Sequence, residues 1–253
     1  MPSATFLLLL LLSTVLTFPA KAADWGATPQ ACAAPGEFEI PGKAFPHLAL
    51  AIREGAPLEF LALGSGTTVG QDGGGGGGPF PFRMIEVLRA ALPGHEIHLT
   101  LRGARGLMAA QMLTLMEQEL KEKHFSLVLW QTGAVEAAHG SSPEELRGTI
   151  GAGIAAVRAA RSDLILIDPQ YSRFLSNKVN LLPYVDVLRQ ASDVPDVALF
   201  RRYNLINFWV DDGRHDLERV KKADQEVSVD ALHTCLGIIL AHFVARGAGV
   251  PMP

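Results

Sequence analysis

The sequence predicts one α/β domain, a three-layer α/β/α sandwich around a mainly parallel five-stranded sheet. Three observations carry that expectation. Five short runs, Leu58 to Gly64, Glu96 to Arg102, Phe125 to Gln131, Asp163 to Asp168 and Val197 to Phe200, are largely apolar on both faces, as strands covered on both sides are. Helical patterns lie between them at Phe82 to Leu92, Leu107 to His124, Pro143 to Arg161 and Leu181 to Ala191, and Asp230 to Ala245 supplies a last helix. The alternation itself favours parallel strands joined by helical crossovers. No internal repeat or interdomain linker breaks the pattern.

The flanking segments follow from composition. The chain has 253 residues, 48% hydrophobic and 19% charged, so a sizeable core is expected and disorder is not. Net charge is -4 with no basic cluster, which argues against nucleic acid as a partner, because phosphate neutralisation needs a Lys/Arg patch. The apolar run Phe6 to Leu12, followed by Pro19-Ala20-Lys21-Ala22, reads as a secretory signal peptide over residues 1–22. The alternative is an uncleaved anchor, but Ser13 and Thr14 interrupt a run already short of the roughly 20 residues of a bilayer span. Cleavage leaves an exported chain, periplasmic or extracellular, with 21 basic and 26 acidic residues and no stable membrane span. Residues 23–57, mixed and bearing several Pro and Gly, read as an arm leading into the domain at 58–253. Cys32 and Cys235 are the two cysteines, and in an exported protein they suggest a disulfide tying the arm to the turn beside His233. Two buried thiols are the alternative.

The chemistry-bearing residues sit at strand ends. In a parallel sheet, ligands bind beyond the carboxyl ends of the strands. Ser65 stands just past the first strand, Gly103 and Gly106 follow the second, and Thr132, Gly133 and Val135 follow the third. A serine hydroxyl needs a base, and an imidazole serves as one when a carboxylate fixes its tautomer. Asp230-Ala231-Leu232-His233 would supply both from one short turn. Ser65 could instead cap the next helix, as serine often does. Asp212-Gly213-Arg214-His215 repeats the Asp-x-x-His spacing, but in a polar stretch that reads as a solvated loop. His95 and His98 lack any further ligand cluster, so a surface pair is expected, with no metal and no organic cofactor. The glycine run Gly73 to Gly78 is not followed by Gly-Lys-Ser/Thr and reads as a loop insertion beside Ser65. Gly64-Ser65-Gly66 does not match the Gly-x-Ser-x-Gly nucleophile elbow.

Taken together, Gly64-Ser65, Arg102-Gly103-Ala104-Arg105-Gly106, Trp130 to Glu136 and Asp230 to His233 resemble, in order, the four sequence blocks of the SGNH (GDSL-like) hydrolases over roughly Leu58 to Ala245. The resemblance implies a flavodoxin-like fold and esterase, lipase or carbohydrate deacetylase activity. It implies Ser65 as nucleophile, His233 as base, Asp230 as its partner, and the Ser65 and Gly106 N–H groups as oxyanion donors.

Two departures stand out. Gly64 replaces the usual Asp, which is not a triad member. Val135 replaces the Asn whose side chain is an oxyanion donor, and losing such a donor costs about a hundredfold in turnover. Gln131, Thr132 or the Gly133 N–H would then have to substitute. The expected substrate is a small acyl ester or an acylated glycan. A weakly active or non-catalytic glycan-binding protein, and acyl transfer to a sugar, are the alternatives.

Overall fold

The computed structural model describes residues 28–70 and 77–252. The expected signal peptide and all but the last two residues of the glycine run lie outside them. Five strands form one parallel sheet: β1 (Leu58–Gly64), β2 (Ile97–Gly103), β3 (Leu127–Gln131), β4 (Asp163–Ile167) and β5 (Val197–Phe200), in the order β2-β1-β3-β4-β5. This order is flavodoxin-like. β1 pairs with β2 on one side (Gly64 opposite Gly103) and with β3 on the other (Leu63 opposite Trp130), so the chain reverses direction across the sheet between β1 and β3. A crevice at the carboxyl ends is expected at that reversal.

Period-two alternation sends side chains to two separate cores. Leu58, Phe60 and Ala62 join one core with α1 (Pro46–Glu54), α3 (Phe80–Ala91), α9 (Arg202–Asp211) and α10 (Gln225–Gly247). Leu61 and Leu63 join the other with α4 (Ala109–Glu122), α6 (Pro143–Ala159) and α8 (Leu182–Ala191). Three short helices, α2 (Gly66–Val69), α5 (Ala134–His139) and α7 (Arg173–Lys178), follow strand ends. Local chemistry sets the helix starts: at α6 the Ser142 hydroxyl accepts the Glu144 N–H at 3.2 Å, with Pro143 in the first turn.

The stretch read as an arm is part of the core. It contains α1, and Cys32, Phe38, Phe45 and Leu48 are buried. The Asp163 carboxylate at the foot of β4 accepts the Leu48 N–H at 2.9 Å, tying α1 to the sheet. Cys32 and Cys235 form a disulfide with Cα atoms 4.9 Å apart. Lys222–Gly247 is, among the described residues, the one stretch long and apolar enough to cross a membrane, and 67% of its most apolar window is buried within the protein. A helix apolar on all sides is expected where it is surrounded by core.

Candidate active site

Ser65 leaves the end of β1 with extended backbone (φ -85°, ψ -168°) and precedes α2, yet its side chain makes no capping bond. Instead three donors converge on one acceptor, the Gln131 Oε1 at the end of β3. The Ser65 hydroxyl lies 3.1 Å from it, the Ser65 N–H 3.2 Å and the Thr68 hydroxyl 3.1 Å. Gly64 makes room for this: a Cβ there would lie 2.3 Å from Thr68 Oγ1. The missing Asp of the first block is therefore matched by a threonine hydroxyl filling its space. Gly103, opposite Gly64, is needed for close approach, because a Cβ at its φ of +139° would lie 1.9 Å from the Gly64 carbonyl oxygen. Gly106 sits in the exposed turn beyond β2.

Beyond β3 the polar groups are saturated. Buried Glu136 accepts from Gly133 N–H at 2.9 Å, from the Thr132 hydroxyl at 3.3 Å and from Ala109 N–H. Thr132 and Gly133, two of the three named substitutes for the absent Asn, thus spend these donors on Glu136 and do not offer them to an oxyanion.

His233 is 4% exposed, inside α10 rather than in a turn ahead of it. Its Nδ1 accepts the Phe80 N–H at 3.0 Å, so the ring supplies one of the partners that the first turn of α3 lacks. The Phe80 and His233 rings stack with centroids 6.1 Å apart. Burial first, then the Arg202 and Arg83 charges, push the imidazole down to about 4, with Asp230 opposing. The ring is neutral at pH 7, and with Nδ1 accepting, its proton is on Nε2.

Asp230, which the sequence reading expects to orient His233, has other partners in this structure. The Asp230 Oδ1 accepts from the Arg83 guanidinium and from Gly77 N–H at 3.2 Å. An Arg fork offers a carboxylate a charged partner, which a neutral imidazole does not. The hydroxyl of Ser65 turns to Gln131, the Nδ1 of His233 to Phe80, and the carboxylate of Asp230 to Arg83. Each of the three side chains is bonded to a partner outside the expected triad.

Sequence reasoning missed Arg202, Asp168 and Gln170. Arg202 is 0% exposed at the start of α9, with its guanidinium carbon 5.1 Å above the Phe80 ring. Its Nη2 donates to Thr67 Oγ1 at 3.2 Å and to Gln170 Oε1, while its Nε and Nη1 have no partner. Burial lowers Arg202 to about 10 and raises neighbouring Asp168 to about 7. Thr67, Arg202 and Phe80 link the Ser65 turn to His233.

Residues 31–250 match the profile of the non-GDSL lipase-like family. The chain belongs to that family. Its fold is that of SGNH-like esterases. Axe2, an acetyl xylan esterase from Geobacillus stearothermophilus, superposes in a variant form with a TM-score of 0.59 at 15% identity, over 78% of this chain and 96% of that one. LAE5, an alpha/beta hydrolase from the metagenome of Lake Arreo, Spain, gives 0.54 at 13% identity, over 76% and 95%. AlinE4, an SGNH-hydrolase family esterase, gives 0.50 at 17% identity, over 58% and 77%. No curated protein matches the sequence.

In this lipase-like protein, a cavity of about 190 Å³ opens beside the rim, lined by Gln170, Tyr171, Ile206, His215 and Leu232 among others. His215 faces that cavity, with its ring against Trp209 (centroids 5.1 Å apart) and its Nε2 3.1 Å from the Ala31 carbonyl oxygen. Asp212 pairs with Arg214 at 2.7 Å, so the second Asp-x-x-His does not form a carboxylate–imidazole pair either. His95 contacts the Ile52 carbonyl and His98 approaches Glu96.

Proposed function

We propose that this chain is an exported serine esterase that cleaves a small acyl ester, with O-acetyl groups on a glycan as the substrate class. The observation that carries the reading is the placing of Ser65. It stands at the reversal point of the sheet, half-buried, with a hydroxyl free of the capping role that its position before α2 would otherwise give it. The family and the fold of its structural neighbours support ester hydrolysis, and the acetyl xylan esterase among them supports an acetylated glycan. The leader-like N-terminus and the Cys32–Cys235 bond support export.

On this reading Ser65 Oγ attacks the acyl carbon, and the carbonyl electron pair moves onto oxygen. The Ser65 and Gly106 N–H groups stabilise that oxygen. His233 takes the hydroxyl proton and delivers it to the leaving alcohol. Water then repeats the sequence on the acyl-enzyme. Two adjustments are required. Asp230, one helical turn before His233, exchanges Arg83 for the ring, and Phe80 N–H releases Nδ1. A base at about 4 is weak, and a carboxylate on Nδ1 raises its basicity while moving the proton off Nε2.

A second reading, a glycan-binding protein with weak or no catalysis, is favoured by Val135 and by the relay bonds left unmade. Acyl transfer to a sugar is the third. Hydrolysis of p-nitrophenyl acetate by the mature protein and by Ser65→Ala separates them. A hydrolase loses at least about a thousandfold in kcat. Equal background rates in both proteins, with retained binding of acetylated glycan, would leave the binding reading standing. His233→Ala is expected to abolish turnover and His215→Ala to spare it; the reverse would transfer the base to the second motif.

A further inference from the structure

We infer that Gln131 both plugs the oxyanion pocket at rest and, once its amide has turned, donates to the oxyanion in place of the absent Asn side chain. This rests on the Ser65 esterase reading. Ser65 N–H is the donor that a tetrahedral oxygen must reach, and in the resting structure Gln131 Oε1 already lies 3.2 Å from it. The same oxygen takes the hydroxyl protons of Ser65 and Thr68, each at 3.1 Å. A point ringed by three donors selects an acceptor. The amide oxygen there is a neutral stand-in for the oxyanion that catalysis would create.

Val135 has nothing to donate. The Gly133 N–H and the Thr132 hydroxyl are bound to Glu136. The Thr132 N–H is bound to the Ile167 carbonyl at 3.3 Å. Gln131 is the side chain at this strand end that already touches the nucleophile and carries N–H donors.

The carboxamide turns about its last side-chain bond and draws back from Ser65 N–H, so that Nε2 faces Thr68 Oγ1 and the point that Oε1 held is left to the oxyanion. The turned Nε2 then donates to Thr68 Oγ1, whose hydroxyl can accept as well as donate. Nε2–H and Ser65 N–H now point into the same space. Two donors facing one another repel unless an anion lies between them, so the developing oxyanion itself favours the turned state. The turn also releases the Ser65 hydroxyl proton, which Gln131 oxygen otherwise holds away from any base.

The test uses Gln131→Glu, Gln131→Met and Ser65→Ala beside the wild-type mature chain, with kcat and KM for p-nitrophenyl acetate and the melting midpoint of each. Gln131→Glu keeps the acceptor for all three donors and cannot donate. It is expected to fold with an unchanged or higher midpoint, to keep KM, and to lose about 100-fold or more in kcat. Gln131→Met removes both roles with similar volume and is expected to lose kcat comparably. Wild-type kcat, within about threefold, in either folded variant would overturn the proposal while leaving the esterase reading intact. Ser65→Ala hydrolysing as fast as wild type would instead remove the esterase reading and this proposal with it.

Discussion

Two buried carboxylates stand at the same rim, one beyond β3 and one beyond β4, and they are held in opposite ways. Glu136 accepts from two backbone N–H groups and a hydroxyl. Asp168 accepts the Tyr203 N–H at 2.7 Å, and its second oxygen has no partner. Arg202, the cation nearest in its electrostatics, spends its bonds on Thr67 and Gln170 instead. The saturated carboxylate fixes the turn after β3. The under-partnered one remains titratable, with burial raising it to about 7. The difference shows that one rim can contain both a locked scaffold and a group whose charge responds to conditions.

The largest effect is expected from unlocking the first carboxylate. Glu136→Ala strands three buried donors and should cost about 3 to 5 kcal/mol in denaturant unfolding, with Glu136→Gln, which keeps an acceptor oxygen, costing less. A loss below about 1 kcal/mol for the Ala variant would mean that those donors find other partners and that the turn is not held by Glu136.

Next comes the pH response of the second carboxylate. Its folded value lies above its unfolded one, so folding binds a proton through the interval between 3.8 and about 7. Its contribution to stability is present below that interval and is lost as pH rises through it, at no more than about 1.4 kcal/mol per pH unit. His233 works the other way: depressed to about 4, it contributes stability above 6.5 that is lost as pH falls toward 4. Asp168→Asn should therefore gain on the wild type between pH 4 and pH 8, a difference in which His233 cancels. A pH-independent difference between the two unfolding curves would show that Asp168 titrates normally.

The smallest effect sharpens the contrast. Thr132→Val removes the longest of the three bonds to Glu136, at 3.3 Å, and leaves the backbone donors in place. It should cost about 1 kcal/mol. A loss approaching that of Glu136→Ala would put the weight of the lock on the hydroxyl.

The sheet was legible because apolar runs, strand spacing and crossover helices obey the same local rules. Leu58–Gly64 and Val197–Phe200 have the ends expected of them, while β2 is shifted by one residue, β3 starts two residues later and β4 ends one residue earlier. The helices α1 and α9 were not legible. α1 lies among Pro- and Gly-bearing segments that read as a connecting arm. α9 begins with Arg202 and carries Asn204 and Asn207, residues that suggest exposure, whereas Arg202 is buried. Ser65, Asp230 and His233 were legible as candidate residue types. Their partners were not, because Gln131, Phe80 N–H and Arg83 are chosen by packing across distant parts of the chain. The paired cysteines were legible as a suggestion, and the structure joins them.

That bond sets an order of events. Cys32 and Cys235 are 203 residues apart, so the ring they close takes in most of the polypeptide. During synthesis the first sulfur must wait as a thiol until the ribosome has released almost the entire chain. Only then can an oxidant staple α10, with His233 two residues from the staple, to the N-terminal segment. A reducing compartment would leave α10, the helix that carries both Asp230 and His233, without its covalent tie to the N-terminal segment.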